Sequence, residues 1–252
     1  MMVCFVSPYS PRNISGISVL LARMAERLEE KGHEPLLIAP MSFTSSKKPI
    51  FFRPEKNLFE IEIKTGLLKN LYLAIATILR ILKLRRRIDI IHLHQPHMQC
   101  FLSAVMGRAI GKPVIVTYHL KLARAAGGLK YAQQTVLEKL VAKFSNKLIY
   151  VSERTRDEYN LSGIVIRNGV DIDRFNSDVR TKVEARNRFG IGAKYFAILF
   201  AGRWTEDKGI FEVLESVSKL KKRHNDWKLL LVGGGDESNT NKVCNAIERL
   251  GI

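Results

Sequence analysis

Arg203 and Lys208 frame the stretch FAGRWTEDKG, residues 200–209, which joins an apolar run, Phe196–Ala201, to a helical pattern opening near Gly209. The first N–H groups of a helix have no intrahelical acceptor, and the aligned peptide dipoles favour negative charge at that end. A guanidinium and an ammonium beside it make a site for a diphosphate. A second apolar run, Trp227–Val232, ends in VGGGDE at 232–237. There Gly233, Gly234 and Gly235 would let a ligand approach the backbone, the plainer alternative being a loose turn. Two neighbouring loops of this kind would open onto one crevice. The cations of KLKKRH, 219–224, read instead as a solvated helix face.

The first two-thirds of the chain carries a different set of polar residues. SPYSPRNISG, 7–16, runs from an apolar stretch into a helical pattern with Ser15 as its expected N-cap and Gly16 allowing close backbone approach. It matches neither the dinucleotide-binding nor the Walker glycine pattern. HLHQPH, 92–97, and TYH, 117–119, close two further strand-like runs. Alternation puts His92 and His94 on one face, and placement at strand ends aims His94 and His119 at the crevice where doubly wound sheets bind ligands. His92, His94 and His119 as zinc ligands are set aside, because no carboxylate or thiol has convincing spacing nearby. Strand-end histidines bonded within the protein, or to a sugar hydroxyl, need no ion; no metal is expected.

These groups need rigid elements to hold them. Strand-like runs fall at Val3–Ser7, Pro35–Ala39, Phe59–Ile63, Asp89–His94, Pro113–Tyr118, Lys147–Val151 and Ile164–Arg167. Helical patterns lie between them, at Ser15–Lys31, Gly66–Arg87, Met98–Gly111, Leu129–Ser145 and Ser152–Asn160. Short Ile- and Val-rich runs separated by helices predict an α/β domain with a parallel sheet covered on both faces. After Asn168–Asp171 the pattern relaxes into a polar stretch through about Lys194, and two strand–helix units follow. The expected organisation is a complete Rossmann-like domain over 1–167 and a partial one over 168–252.

The chain has 252 residues and a formal net charge of +17, with 46% hydrophobic and 26% charged residues, which excludes a disordered chain. No run approaches the ~18 apolar residues of a membrane span, and the start, MMVCFVSPYS, lacks the basic region of a secretory signal. Cys4, Cys100 and Cys244 have no metal-ligand spacing and leave an odd thiol, which points to a reducing, cytoplasmic setting. Residues 1–160 hold 25 Lys/Arg against 12 Asp/Glu, whereas 161–252 hold 16 against 12. The excess therefore lies in the first domain and suggests a polyanionic partner. Its densest part is residues 67–87, where Leu68, Leu71, Ile75, Ile78, Leu79 and Leu82 recur at helical spacing, with Lys69, Arg80, Lys83 and Arg87 largely on other faces. Two readings stand here: a surface helix docking on anionic lipid, and a core-facing helix with a solvated basic back. Nucleic acid is not expected, since no aromatic–basic interleaving or helix-turn-helix pattern accompanies the charge.

In order along the chain, Ser15-Gly16, DIIHLHQPH, PVIVTYH, KLIYVSE, IRNGVDIDRF, FAGRWTEDKG and LLLVGGGDE resemble the retaining GT-B glycosyltransferases of glycosyltransferase family 4. NGVDIDRF followed by GRWTEDKG at this separation is the most specific part. The resemblance implies two Rossmann-like domains and a nucleotide-sugar co-substrate, UDP- or GDP-linked, held mainly by the second, with no other cofactor. It implies that Arg203 and Lys208 hold the donor diphosphate, that Gly16 offers backbone amides to the phosphates, and that His119 approaches the donor sugar. Asn168–Asp171 would form the interdomain connection. A metal-free mechanism is consistent with two cations stabilising the departing diphosphate while the sugar becomes oxocarbenium-like. The acceptor is expected to be a glycan or a lipid-linked molecule bound by the basic first domain, with the protein peripheral at the inner face of the membrane.

The family's second domain continues with more strands, a paired-glutamate motif and a helix that returns to the first domain. Glu237 and Glu248 do not occupy the glutamate positions, and on ~100–200 residues per domain the chain ends roughly 120 residues early. The expectation is thus a family 4 transferase present as a truncated form. The alternative is a noncatalytic nucleotide-sugar-binding module that a further chain completes. A GT-B sugar-nucleotide epimerase is disfavoured by the two transferase-like signatures.

Overall fold

β1, Met2–Val6, is buried at every position, so its alternating side chains must meet apolar partners on both faces. Val3 and Phe5 pack on Leu21 and Ala25 of α1, Gly16–Glu30, together with Leu37 and Ala39 of β2, Glu34–Pro40. Cys4 and Val6 face the other way, into a larger core. That core is filled from α2, Lys69–Leu84, α3, Met98–Ala109, and α4, Gly128–Phe144, through Ile81, Cys100, Ala104 and Val141. A sheet covered on both sides is the arrangement that continuous apolar strands require. Each fully buried large side chain contributes roughly 1.5–3 kcal/mol. In this computed structural model the described residues are 1–10, 15–41, 58–61, 69–121, 128–173, 175 and 179–252.

The sheet is completed by β3, Leu58–Ile61, β4, Ile88–His94, β5, Val114–Tyr118, β6, Lys147–Tyr150, and β7, Ile164–Val165, with α5, Glu153–Tyr159, between the last two. All pairings are parallel and the strand order is β3-β2-β1-β4-β5-β6-β7. The order reverses direction beside β1, so the loops after β1 and β4 flank a topological switch point. Tyr118, Tyr150 and Tyr159 stack at the far side, with Tyr118 and Tyr150 ring centroids 5.2 Å apart.

The chain divides into two units, Met1–Val170 and Asp171–Ile252. In the second, β8, Phe196–Arg203, and β9, Trp227–Gly234, pair in parallel from Phe196↔Trp227 to Arg203↔Gly234. α7, Ile210–Lys221, and α8, Glu237–Leu250, cover one face through Ile210, Leu214, Val243 and Ala246 packed with Phe200.

Two expectations are corrected, and one open alternative, the loose turn at the β9 glycines, is decided. The polar stretch before Lys194 contains a helix, α6, Val179–Arg188. Lys, Arg, Glu and Ala there are good helix formers, but with so few apolar residues the helix leaves almost no hydrophobic period. The apolar stripe of α2 is not its core face: Leu73, Ala74, Thr77 and Ile81 are buried, whereas Leu71, Ile75 and Leu79 are exposed. β9 does not loosen at its glycines but stays paired through Gly234. Parts of the expected elements, residues 11–14, 62–63 and 66–68 with Leu68, and Arg174 of NGVDIDRF, lie outside the described residues, as does the side chain of Lys69.

Candidate functional site

In the first unit the polar residues gather at the carboxyl ends of β1, β4 and β5. Ser15 is the N-cap of α1, its hydroxyl accepting from the Ser18 N–H at 3.1 Å. Gly16 opens that helix, and a Cβ built on it would meet nothing within 4 Å. The glycine is therefore not required by internal packing, and the space over it is open.

β4 alternation does place His92 and His94 together, ring centroids 4.4 Å apart, with Phe5 of β1 against both. His92 Nε2 pairs with the Thr117 hydroxyl at 2.8 Å. His94 Nδ1 lies 3.1 Å from His119 Nε2, the rings stacked at 5.4 Å. Burial pushes His92 and His119 down to about 4, and the neighbouring His119 adds to the burial effect on His92. His94 falls well below the usual histidine value, through burial first and then its two histidine neighbours. All three rings are neutral at pH 7, so His94 and His119 share a single proton between facing nitrogens. When His94 donates it, its own buried Nε2, which has no partner among the described residues, is an acceptor and His119 Nδ1 carries an N–H; with the proton reversed, so are those roles. Among the described residues no group of three His, Cys, Asp or Glu has the geometry to hold a metal ion.

Gln95 was not among the expected site residues. It sits at φ 71°, in the left-handed region, and is fully buried. Its Oε1 accepts from the His119 and Leu120 N–H groups at 2.8 and 3.3 Å, while its Nε2 donates to the Leu120 carbonyl at 2.6 Å. One side chain thus fixes the backbone that carries His119. The sequence offered only a polar residue between two strand-end histidines.

In the second unit β8 ends at Arg203, a 3-10 turn covers Glu206–Lys208, and Gly209, at φ 74°, is the N-cap of α7. A glycine cap has no side chain to offer, which leaves the first amides of α7 for another acceptor. Arg203 Nη2 and Lys208 Nζ converge on one carboxylate oxygen, Asp207 Oδ2, at 3.4 and 3.7 Å. Their side chains are 67% and 49% exposed, so neither cation is committed to the interior. The Thr205 hydroxyl, and then the two cations, hold the Asp207 carboxyl below its usual value.

Of the three glycines beside this pair, two are explained by packing. At Gly233, φ 134°, a Cβ would fall 1.9 Å from the Gly202 carbonyl oxygen, and at Gly235 one would fall 2.8 Å from Asn239 Cβ. Gly234, paired with Arg203, has open space. Asp236 caps α8 by accepting from the Asn239 N–H at 2.8 Å. The two strand ends lie side by side, Arg203 paired with Gly234 and the Trp204 N–H donating to the Gly234 carbonyl at 2.9 Å.

The family model described as Glycosyltransferase Family 4 matches residues 14–174, and that described as Glycosyl transferases group 1 matches 181–252. Phosphatidyl-myo-inositol mannosyltransferase of Mycobacterium tuberculosis is 26% identical over 246 residues, covering 94% of this chain. The chain spans 61% of that relative's length. GDP-mannose:cellobiosyl-diphosphopolyprenol alpha-mannosyltransferase of Xanthomonas campestris is 25% identical over 175 residues, 66% of this chain and 43% of that one. Among solved structures, Anabaena Alr3699/HepE in complex with UDP superimposes with a TM-score of 0.73 at 15% identity, covering all of this chain and 66% of the other. At that identity the likeness speaks for the GT-B-type fold alone. With the first match spanning well over half of its residues, the chain belongs to glycosyltransferase family 4.

Proposed function

We propose that this chain is the acceptor-side domain and part of the donor domain of a retaining glycosyltransferase. It moves a sugar from a nucleotide sugar, UDP- or GDP-linked, to a lipid-linked or glycan acceptor. The observation that carries this reading is the convergence of Arg203 and Lys208 on one anionic oxygen beside the uncapped start of α7. A diphosphate oxygen takes the place of the Asp207 carboxylate, and the two cations balance the charge that develops on the leaving group. Gly16, at the start of α1, offers backbone amides to the phosphates. His94 and His119, neutral and mutually bonded, present ring nitrogens to sugar hydroxyls, and Gln95 positions His119. Ser15 orders the first turn of α1, and Gly234 leaves room over the backbone next to Arg203.

The relatives named for phosphatidyl-myo-inositol and diphosphopolyprenol acceptors support a lipid acceptor. A net charge of +17 supports work at an anionic, inner membrane face. Where a second polypeptide completes the donor domain, adding it in trans raises sugar transfer.

The test is titration calorimetry with UDP and GDP. Arg203→Ala is expected to weaken nucleoside diphosphate binding by about 1.5–3 kcal/mol, the worth of a charge-assisted hydrogen bond. Equal affinity in the two proteins refutes the assigned role.

A further inference from the structure

β4 and β5 are neighbouring central strands, and strands covered on both faces normally carry apolar side chains throughout. One face of this pair departs from that four times. His94 stands opposite Thr117 in the register, and His92, His94, Thr117 and, just past the end of β5, His119 gather on a single side. They form two layers. In the outer one His94 Nδ1 faces His119 Nε2 at 3.1 Å, and in the inner one His92 Nε2 pairs with the Thr117 hydroxyl at 2.8 Å.

The inner layer is sealed. His92 is 7% and Thr117 5% exposed, and each side chain has the other as its partner. Burying an imidazole and a hydroxyl costs desolvation that one neutral hydrogen bond roughly offsets, whereas two aliphatic side chains at these places would add apolar burial without that cost. Stability therefore does not account for the pair.

What the pair supplies is a fixed surface. The His92 and His94 rings lie 4.4 Å apart at 34°, and Phe5 packs against them at 5.5 and 5.6 Å. Rotation about the last torsion of a histidine is soft, so the bond from one ring nitrogen to Thr117 is what sets the plane of His92. His94 rests on that plane and in turn holds His119, whose ring stacks on it at 5.4 Å. An aliphatic residue at position 92 would give His94 no plane to rest on.

We propose that His92 and Thr117 are positioning residues for the sugar contact, acting through His94 on the orientation of the His119 ring. This rests on the reading of His119 as a group that meets the donor sugar, and adds to it two residues that touch no substrate.

Calorimetry with GDP, GDP-mannose, UDP and UDP-glucose tests it, by giving the factor by which each sugar raises affinity over the nucleotide alone. Thr117→Val, similar in shape but without the hydroxyl, is expected to lower that factor about three- to tenfold, the scale of one neutral hydrogen bond. Thr117→Ser should restore it. His92→Gln, which keeps a polar group for Thr117 and removes the ring beneath His94, should lower it as well. In a His119→Gln background Thr117→Val should change nothing further, because a residue that acts only through another has no effect once that other is gone. The nitrogen-15 signals of the His119 ring should shift in Thr117→Val and return in Thr117→Ser. If Thr117→Val does not fold, His92→Gln alone and combined with His119→Gln decides the matter in the same way. A wild-type factor of one for both sugars refutes the sugar contact of His119 and this inference with it. A factor above one that Thr117→Val leaves intact, or a loss that persists undiminished in the His119→Gln background, overturns this inference alone.

Discussion

The strand ends of the two units handle polar groups in opposite ways. Around β4 and β5 His92 and His94 are buried and His119 half-buried, and the three are kept neutral and tied to one another, to Thr117 and, through the backbone, to Gln95. Around β8 the cations are more than half or nearly half exposed and, among the described residues, are paired with a carboxylate in their own loop. Desolvation explains the division. A neutral imidazole can be buried for a modest cost if its nitrogens are bonded, whereas burying an unpaired guanidinium or ammonium is prohibitive. In the proposed site, groups meant for hydroxyls can therefore be fixed in advance, while those meant for a diphosphate stay in solvent until their counter-charge arrives.

If that contrast is right, the backbone beneath the cations must be as rigid as the histidine cluster, and the largest effect should come from disturbing it. Gly233→Ala drives a Cβ into the Gly202 carbonyl at a φ that L-residues rarely adopt, and is expected to cost about 3 kcal/mol or more. Gly234→Ala, with open space, should stay near 1 kcal/mol or below. Denaturant unfolding distinguishes them, and equal losses would break the distinction between a glycine required by packing and one with open space over it.

The histidine cluster gives a pH signature that the cations lack. Its folded-state values are below the unfolded value near 6.5, so the unfolded chain binds more protons in acid. The stabilising effect is complete above pH 6.5 and is lost as pH falls from there through about 4. For His92 and for His119, on the order of 3 kcal/mol should disappear across that window, since every pH unit separating the folded and unfolded values is worth about 1.4 kcal/mol. His119→Gln should flatten the profile of thermal stability between pH 7 and 4.5. A profile unchanged by the substitution would mean that the ring is not held neutral.

The smallest effect sharpens the picture of the open cations. In the proposed site Asp207 competes with the diphosphate for Arg203 and Lys208, so Asp207→Asn should tighten UDP or GDP binding about two- to fivefold, the scale of an exposed ion pair. Calorimetry showing weaker binding would make Asp207 a positioning group rather than a placeholder.

Much of this was legible in the residues. Alternating Ile/Val-rich runs and helical periods pointed to the α/β architecture, because a strand buried on both faces has few sequences open to it. Arg203 and Lys208 could be picked out because cations next to a strand-to-helix turn have a local meaning, and Ser15 because an N-cap is a local hydrogen bond. α6 was missed for the converse reason, being almost without apolar residues. Gln95 was missed because its role lies in bonds to residues 24 and 25 positions away.

The sequence by itself determined the strands and helices with a clear apolar period, which loops carry charge, and the family. Only tertiary structure decided that His94 and His119 share a proton, that Gly233 is required by its close approach to Gly202 of β8, and that α2 turns Leu71, Ile75 and Leu79 outward. α2 shows why. A helix with leucines and isoleucines on both sides has two faces of similar hydrophobicity, so periodicity cannot choose between them. The choice falls to the neighbours, β3 and α3, whose shape accepts Leu73, Ala74, Thr77 and Ile81 and leaves the other stripe to the surroundings.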